Sequence, residues 1–229
     1  MKALIKLNKL VLICTLVICV SFITSCSSDD NNSSDVNIRL AIITTSSSTS
    51  TQSRFTTNNL EFTSGIITIR EVVFDGDNGN ISVSRTVEQI AVIDYATGTI
   101  TPDVIVTVPA GTYTSINLGI ELQDENSTPS VVIEGTYTNS DDEIIPIRFE
   151  FNSGEVFEAD ATSVVLVEGT NVVAKITFDA LSWFSTISAV QLDNASLTEG
   201  TIIISETKNA NLFDIVADRL DVETQAVFE

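Results

Sequence analysis

From residue 36 onward the chain alternates between apolar and polar residues with period 2, the mark of a strand with one face buried and the other in water. In SINLGIEL, Ile116, Leu118, Ile120 and Leu122 share one face, while Ser115, Asn117 and Glu121 share the other. IPIRFEF sets Ile145, Ile147, Phe149 and Phe151 inward against Pro146, Arg148 and Glu150, and VVAKITF sets Val172, Ala174, Ile176 and Phe178 against Lys175 and Thr177. Weaker runs at 37–44, 66–74, 81–87, 104–108, 131–138, 163–167 and 201–205 bring the expected total to about ten strands.

Many short strands separated by turn residues predict an all-β fold, an antiparallel β-sandwich of immunoglobulin- or transthyretin-like type. DGDNGN (75–80) lies between two apolar runs as a hairpin loop would, and DENSTP (124–129), NSDDE (139–143) and EGTN (168–171) punctuate the later strands. The stretch 46–59, SSSTSTQSRFTTNN, reads as a polar low-complexity loop, exposed and mobile. Two places leave the strand period. Asp179 can cap a short helical turn near 180–187, with Leu181, Phe184 and Ile187 at helical spacing. NANLFDIVADRL spaces Leu212, Ile215, Val216 and Leu220 as one stripe of a helix near 210–221, capped by Asn209 or Asn211. The final DVETQAVFE either extends that helix or runs beside a sheet.

The first 25 residues differ in kind. Lys2, Lys6 and Lys9 precede a 14-residue apolar run, LVLICTLVICVSFI, too short for the ~20 residues that cross a bilayer core. That pattern is an export signal. Its end, Ile23-Thr24-Ser25-Cys26, resembles the lipobox of bacterial lipoproteins, in which the cysteine becomes the lipidated first residue. Asp29-Asp30 resembles, in addition, the acidic export tag of Gram-negative lipoproteins displayed on the outer face of the outer membrane. The resemblance implies a signal peptide at 1–25, acylation of Cys26 and a membrane partner through that lipid. Residues 26–35 then form an acidic tether without packing capacity, and 36–229 a single β-sandwich domain.

Composition narrows the chemistry. Loss of the three leader lysines lowers Lys plus Arg from 11 to 8 against 31 Asp plus Glu, a formal net charge of −23. Such a surface repels phosphate backbones, which excludes nucleic-acid binding. There is no histidine, and Cys14 and Cys19 leave with the leader while Cys26 is acylated. Triads with an imidazole base, the usual zinc and copper ligand sets and thiol redox chemistry are therefore excluded, and no cofactor is expected. Carboxylates, hydroxyls and amides remain, and these suit calcium or a two-carboxylate glycosidase.

The weak calcium candidates are Asp75 and Asp77 in DGDNGN, and Asp141 and Asp142 beside Glu143. An EF-hand loop counted from Asp75 needs Asp or Asn fifth, Gly sixth and Glu twelfth, where this chain has Gly79, Asn80 and Thr86. A hairpin turn is the expected reading, and clustered acids on so negative a chain read as solvated surface. Trp183, beside Phe184, is expected to plug an edge of the sandwich rather than stack on a glycan. Tyr95, Tyr113 and Tyr137 stand as exposed alternatives. Glu121, Glu134 and Glu150 fall on polar faces, the wrong setting for a catalytic acid that must be desolvated.

PAGTYTSINLGIEL (109–122) resembles a Pro-Ala-Gly-x-Tyr-x-x-Ile/Leu-x-Leu signature of uncharacterised β-sandwich domain families of bacterial lipoproteins, and ITFDALSWFSTI resembles them more loosely. The likeness implies a fold class and a surface setting without an activity. A copper-linked family of exported β-domains has a similar turn, but its metal chemistry depends on histidine. The resulting expectation is a non-catalytic, lipid-anchored module of the outer membrane, facing the exterior. It would bind a glycan or a surface protein. One alternative is a structural or adhesive subunit that pairs strand edges or donates its first strand, and another is a two-carboxylate hydrolase.

Overall fold

A computed structural model describes residues 35–45, 59–79, 81–220 and 225–229. The leader, residues 26–34 of the tether with Cys26, and residues 46–58 of the polar loop lie outside the described residues, while Asp35, the last tether residue, opens β1. Along the described chain run β1 (Asp35–Thr44), β2 (Leu60–Asp77), β3 (Ser82–Asp94), β4 (Thr99–Thr101), β5 (Ile105–Pro109), β6 (Gly111–Leu122) and β7 (Val131–Thr138). They are followed by β8 (Ile144–Phe151), β9 (Val156–Leu166), β10 (Asn171–Phe178), β11 (Leu197–Thr198), β12 (Thr201–Ile204) and β13 (Gln225–Phe228). Three short helices intervene, α1 (Ala180–Trp183), α2 (Ala189–Asp193) and α3 (Ala210–Ala217).

The all-β, sandwich-like class is as expected, with two differences. There are 13 strands among the described residues, and both sheets are mixed. One sheet has the order β13-β10-β1-β5, and β1 lies parallel to β10 from Asn37↔Asn171 to Thr44↔Phe178. In the other, β12 is parallel to β8. Side-chain alternation reports which face is buried and is silent on strand direction, so parallel pairs between distant segments are invisible to it.

β2 is the spine of the larger sheet. Its 18 residues pair with β3 along one edge and, along the other, first with β7 and then with β6. Bulges between Phe62 and Ser64 and between Ile69 and Glu71 each change the phase of the buried face, which runs Leu60, Phe62, then Ile67, Ile69, then Val72, Phe74. β6 and β7 follow one another alongside it, with Leu122 opposite Ile69 and Val131 opposite Ile67, so residues 123–130 form an excursion between them. β8 and β9 continue the arrangement outward, pairing with β7 and β6.

Apolar faces from both sheets meet in one core. Phe157 of β9 packs edge-on to Phe178 of β10, centroids 4.9 Å apart. At the other end of β2 the helices supply the cover: Phe62 meets Phe184 at 4.8 Å, and Phe213 stacks on Phe149 and Phe151 at 6.1 and 5.9 Å. Trp183 is 1% exposed and lies edge-on to Phe178, as a plug rather than a platform. Asp179 caps α1 as expected, accepting from the Ser182 N–H. The capping box Ser188–Gln191 starts α2, a helix that the strand and helix periods do not announce. α3 ends at Ala217, earlier than expected, and Asn209 precedes it without capping by its side chain. Asn209 instead bonds Ser196 N and O and Ile203 O, fastening β11 and β12 to the helix. The last residues form β13 antiparallel to β10, closed by the Lys175–Glu229 pair, which decides between the two alternatives for the C-terminus.

Candidate functional site

The calcium candidates occupy two hairpin turns. Asp77 accepts the Gly79 N–H at 2.6 Å, Asn78 accepts the Ile81 N–H at 3.0 Å, and Asp75 is exposed on the strand opposite Ser84 and Asn117. In the β7–β8 turn it is Asn139 that organises the backbone, accepting from Asp141 N at 3.0 Å and Glu143 N at 2.8 Å, with Asp142 in the left-handed region at φ 62°. Thr138, beside that turn, donates its N–H to Asn59 O at the start of β2, whereas Asp75 and Asp77 close its far end. About 17 residues of strand separate the two acidic turns, a contour of roughly 55 Å at ~3.3 Å each. They cannot share an ion. Among the described residues no three carboxylate, cysteine or histidine side chains are gathered in a metal-binding cluster.

The three tyrosines are buried, contrary to the expectation of exposure. Each hydroxyl reaches a specific oxygen, so the ring lies inside and only the tip needs a partner. Tyr95 donates to Thr45 O at 3.0 Å and accepts from Ala180 N at 3.3 Å. Tyr137 donates to Asp193 Oδ1 at 2.5 Å, and Ala189 O lies 3.1 Å away. Tyr113 reaches back to Pro109 O at 2.9 Å. This last bond is a tyrosine corner, and it gives the Pro-Ala-Gly-x-Tyr stretch a structural reason. Burial pushes the Tyr95 and Tyr137 hydroxyls up to about 12, and Tyr113 in the same direction. Accepting the Tyr137 hydroxyl holds the Asp193 carboxylate below its usual range.

Every described carboxylate stays out of the core: the buried polar side chains are Gln123, Ser130 and Ser205. Glu134 and Glu150 flank Arg148 at 2.8 and 2.6 Å on the polar face. These are charged pairs in water, without the desolvated acid that glycoside hydrolysis needs.

A mostly polar cleft of about 330 Å³ opens where the Ile69/Glu71 bulge distorts β2, lined by Arg70, Glu71, Glu88, Gln89, Gln123 and Glu125 together with the exposed Ile90. The bulge turns consecutive charged residues, Arg70 and Glu71, out of strict alternation. Arg70 reaches Glu121 at 3.2 Å and Glu125 at 3.1 Å, with Asp124 at 3.9 Å, and its hydrogen bond to Glu121 holds the guanidinium pKa above its ordinary value. Glu71 stands in register with Glu88 on one side and Glu121 on the other. Gln123 anchors the excursion by donating its N–H to Thr68 O at 3.0 Å, and its side chain is 8% exposed. Its Oε1 and the Arg70 Nε are buried without hydrogen-bond partners. Alternation alone does not single out these residues; their one sign in the sequence is the pair of charges inside ITIREVVF. Chemically the cleft offers carboxylates, a side-chain amide and a guanidinium.

No protein-family model matches this chain, and no curated protein and no solved structure is significantly similar to it.

Proposed function

We propose that this protein is a non-catalytic binding module of the cell surface, held in the outer membrane by acylated Cys26 and directed at another surface protein. The observation that carries the choice of partner is the placement of the aromatic side chains. Trp183, Tyr95, Tyr113 and Tyr137 are all packed inside, so none offers a ring face to a sugar. What the described surface offers instead is charge, with aliphatic residues scattered singly, so charge complementarity is the means by which it would select a protein partner. A lipid-borne module with an acidic tether fits that role, because acyl chains at ~0.8 kcal/mol per buried methylene hold the domain at the membrane while the tether gives it reach. Protease shaving or antibody labelling of intact cells tests the display, and pull-down against a glycan array distinguishes the partner. Labelling that appears only after permeabilisation would end the surface reading.

A second reading, assembly through strand edges, has one observation in its favour. The outer side of β9 lies beside β13 along a groove of about 420 Å³, where Val165 and Val227 are 59% and 54% exposed. The version in which β1 is donated fares worse, since β1 pairs on both sides and its removal would break the smaller sheet in two. The mass of the delipidated protein in solution at high concentration separates these readings: a strict monomer speaks against assembly.

A further inference from the structure

Asn78 is the only asparagine in the sequence that is followed by glycine. It closes the hairpin between β2 and β3, where its N–H donates to Ile81 O at 3.3 Å. Two further bonds bear on its chemistry. The Gly79 N–H donates to Asp77 Oδ1 at 2.6 Å, so a carboxylate sits on the proton of the nitrogen next along the chain. The Ile81 N–H donates to Asn78 Oδ1 at 3.0 Å and draws electron density from the side-chain carbonyl carbon, Cγ. A base on the proton of a nitrogen makes it a better nucleophile, and a donor on a carbonyl oxygen makes its carbon a better electrophile. Here the two belong to adjacent residues, one bond from a five-membered ring. Gly79 leaves room for that ring: it is exposed, with φ +81°, and a Cβ built on it meets nothing within 4 Å. Asn126 and Asn139 also hold their side-chain oxygens against turn N–H groups, but each is followed by serine, whose side chain crowds the nitrogen.

We propose that Asn78 is a self-modification site, at which the hairpin converts its own asparagine to aspartate and isoaspartate. The Gly79 nitrogen attacks Asn78 Cγ while Asp77 takes the N–H proton, and the Ile81 N–H steadies the oxyanion that forms on Oδ1. Collapse breaks the Cγ–Nδ2 bond. Nδ2 leaves as ammonia, carrying the proton that Asp77 returns, and the new N–Cγ bond closes a succinimide. Water is the one co-reactant. It opens the ring between Gly79 N and Cγ to give aspartate, or between Gly79 N and the backbone carbonyl carbon of residue 78 to give isoaspartate. Either product sets a new carboxylate beside Asp77. The isoaspartate form also adds a methylene to the backbone of a turn that β6 holds through Thr114 Oγ1, which donates to Asp77 O at 3.0 Å. The site is independent of the protein's partner and of its cellular location.

The full chain in detergent is incubated at neutral pH in heavy-oxygen water. The peptide containing residue 78 is followed by mass, with fragmentation to assign the position and isoaspartyl methyltransferase labelling to score the iso form. The acetylated and amidated peptide of residues 75–81 is the comparator. Conversion at Asn78 is expected to run at least ~10-fold faster in the folded protein than in the peptide, with one solvent oxygen retained in the product. Asp77→Asn keeps an oxygen for the Gly79 N–H and removes the base, so it should slow conversion at residue 78 about 10-fold at an unchanged melting temperature. Asn126 and Asn139 should stay intact over the same time. The proposal fails if the folded protein converts no faster than the peptide, if a folded Asp77→Asn converts as fast as wild type, or if Asn126 or Asn139 converts as readily as Asn78. Where Asp77→Asn melts early, wild type against the peptide decides alone.

Discussion

Replacing Gly76 with alanine would drive a methyl group into the tyrosine corner. A Cβ built there lies 2.6 and 2.7 Å from Tyr113 Cδ1 and Cε1, and 2.8 Å from Phe74 Cε1. Neither ring has room to yield. The two are fully buried and packed edge-on with centroids 5.6 Å apart, and the Tyr113 hydroxyl is held by Pro109 O at 2.9 Å. Overpacking of this kind costs about 1–3 kcal/mol, and a shift of the ring would strain a hydrogen bond worth about 1 kcal/mol more. Against this, Gly→Ala restricts the unfolded chain and returns about 0.4–1 kcal/mol. The balance is a net loss of about 2 kcal/mol. Urea denaturation should show a lower midpoint at unchanged slope. The mechanism is isolated by a double-mutant cycle: Tyr113→Leu vacates the space, so Gly76→Ala in that background should cost at least ~1 kcal/mol less. If Gly76→Ala stabilises the protein, or costs the same in both backgrounds, the corner does not pack as described.

Trp183→Ala should cost about 3–5 kcal/mol, and wild-type tryptophan emission should be blue-shifted and protected from acrylamide; ready quenching in the folded state would contradict its burial. Alkaline pH should destabilise the fold with a defined sign. Tyr95 ionises near 10.0 when unfolded and near 12 when folded, so its stabilising contribution is whole below pH 10 and is lost as pH rises toward 12. Tyrosinate absorbance should therefore appear together with loss of near-ultraviolet circular dichroism; half-complete ionisation of the tyrosines at pH 10 in a native spectrum would refute the burial. Melting temperature should be the same with calcium and with chelator, because among the described residues no three carboxylates gather in a metal-binding cluster. A rise of several degrees with calcium would reveal a site in one of the acidic turns.

The strand faces were legible wherever one alternation runs unbroken. β6, β8 and β10 read straight from Ile116–Leu122, Ile145–Phe151 and Val172–Phe178, because period 2 has a single physical cause. β2 was legible from 66 to 74, across the Ile69/Glu71 bulge, while the bulge at Phe62/Ser64 shifts the phase of its first residues, and β3 was cut short at Val87 by the irregularity around Gln89 and Ile90. β4 and β11, at 3 and 2 residues, are too short to show any period. The tyrosines read as exposed because a polar tip does not disclose where the ring lies; only the partner oxygen does, and Pro109 O, Thr45 O and Asp193 sit at the ends of β5, β1 and α2, which the sequence does not bring to the rings. The cleft at Arg70 stayed hidden for a related reason. It depends on residues from β2, β3, and the 123–130 excursion that only the register brings together.

The most direct measurement is the mass of the native N-terminal peptide released from purified membranes. An acylated Cys26 as the first residue, with residues 1–25 gone, is the expected result. An N-terminus at any other residue, or Cys26 carrying a free thiol, would remove the anchor and with it the placement of this domain at the cell surface.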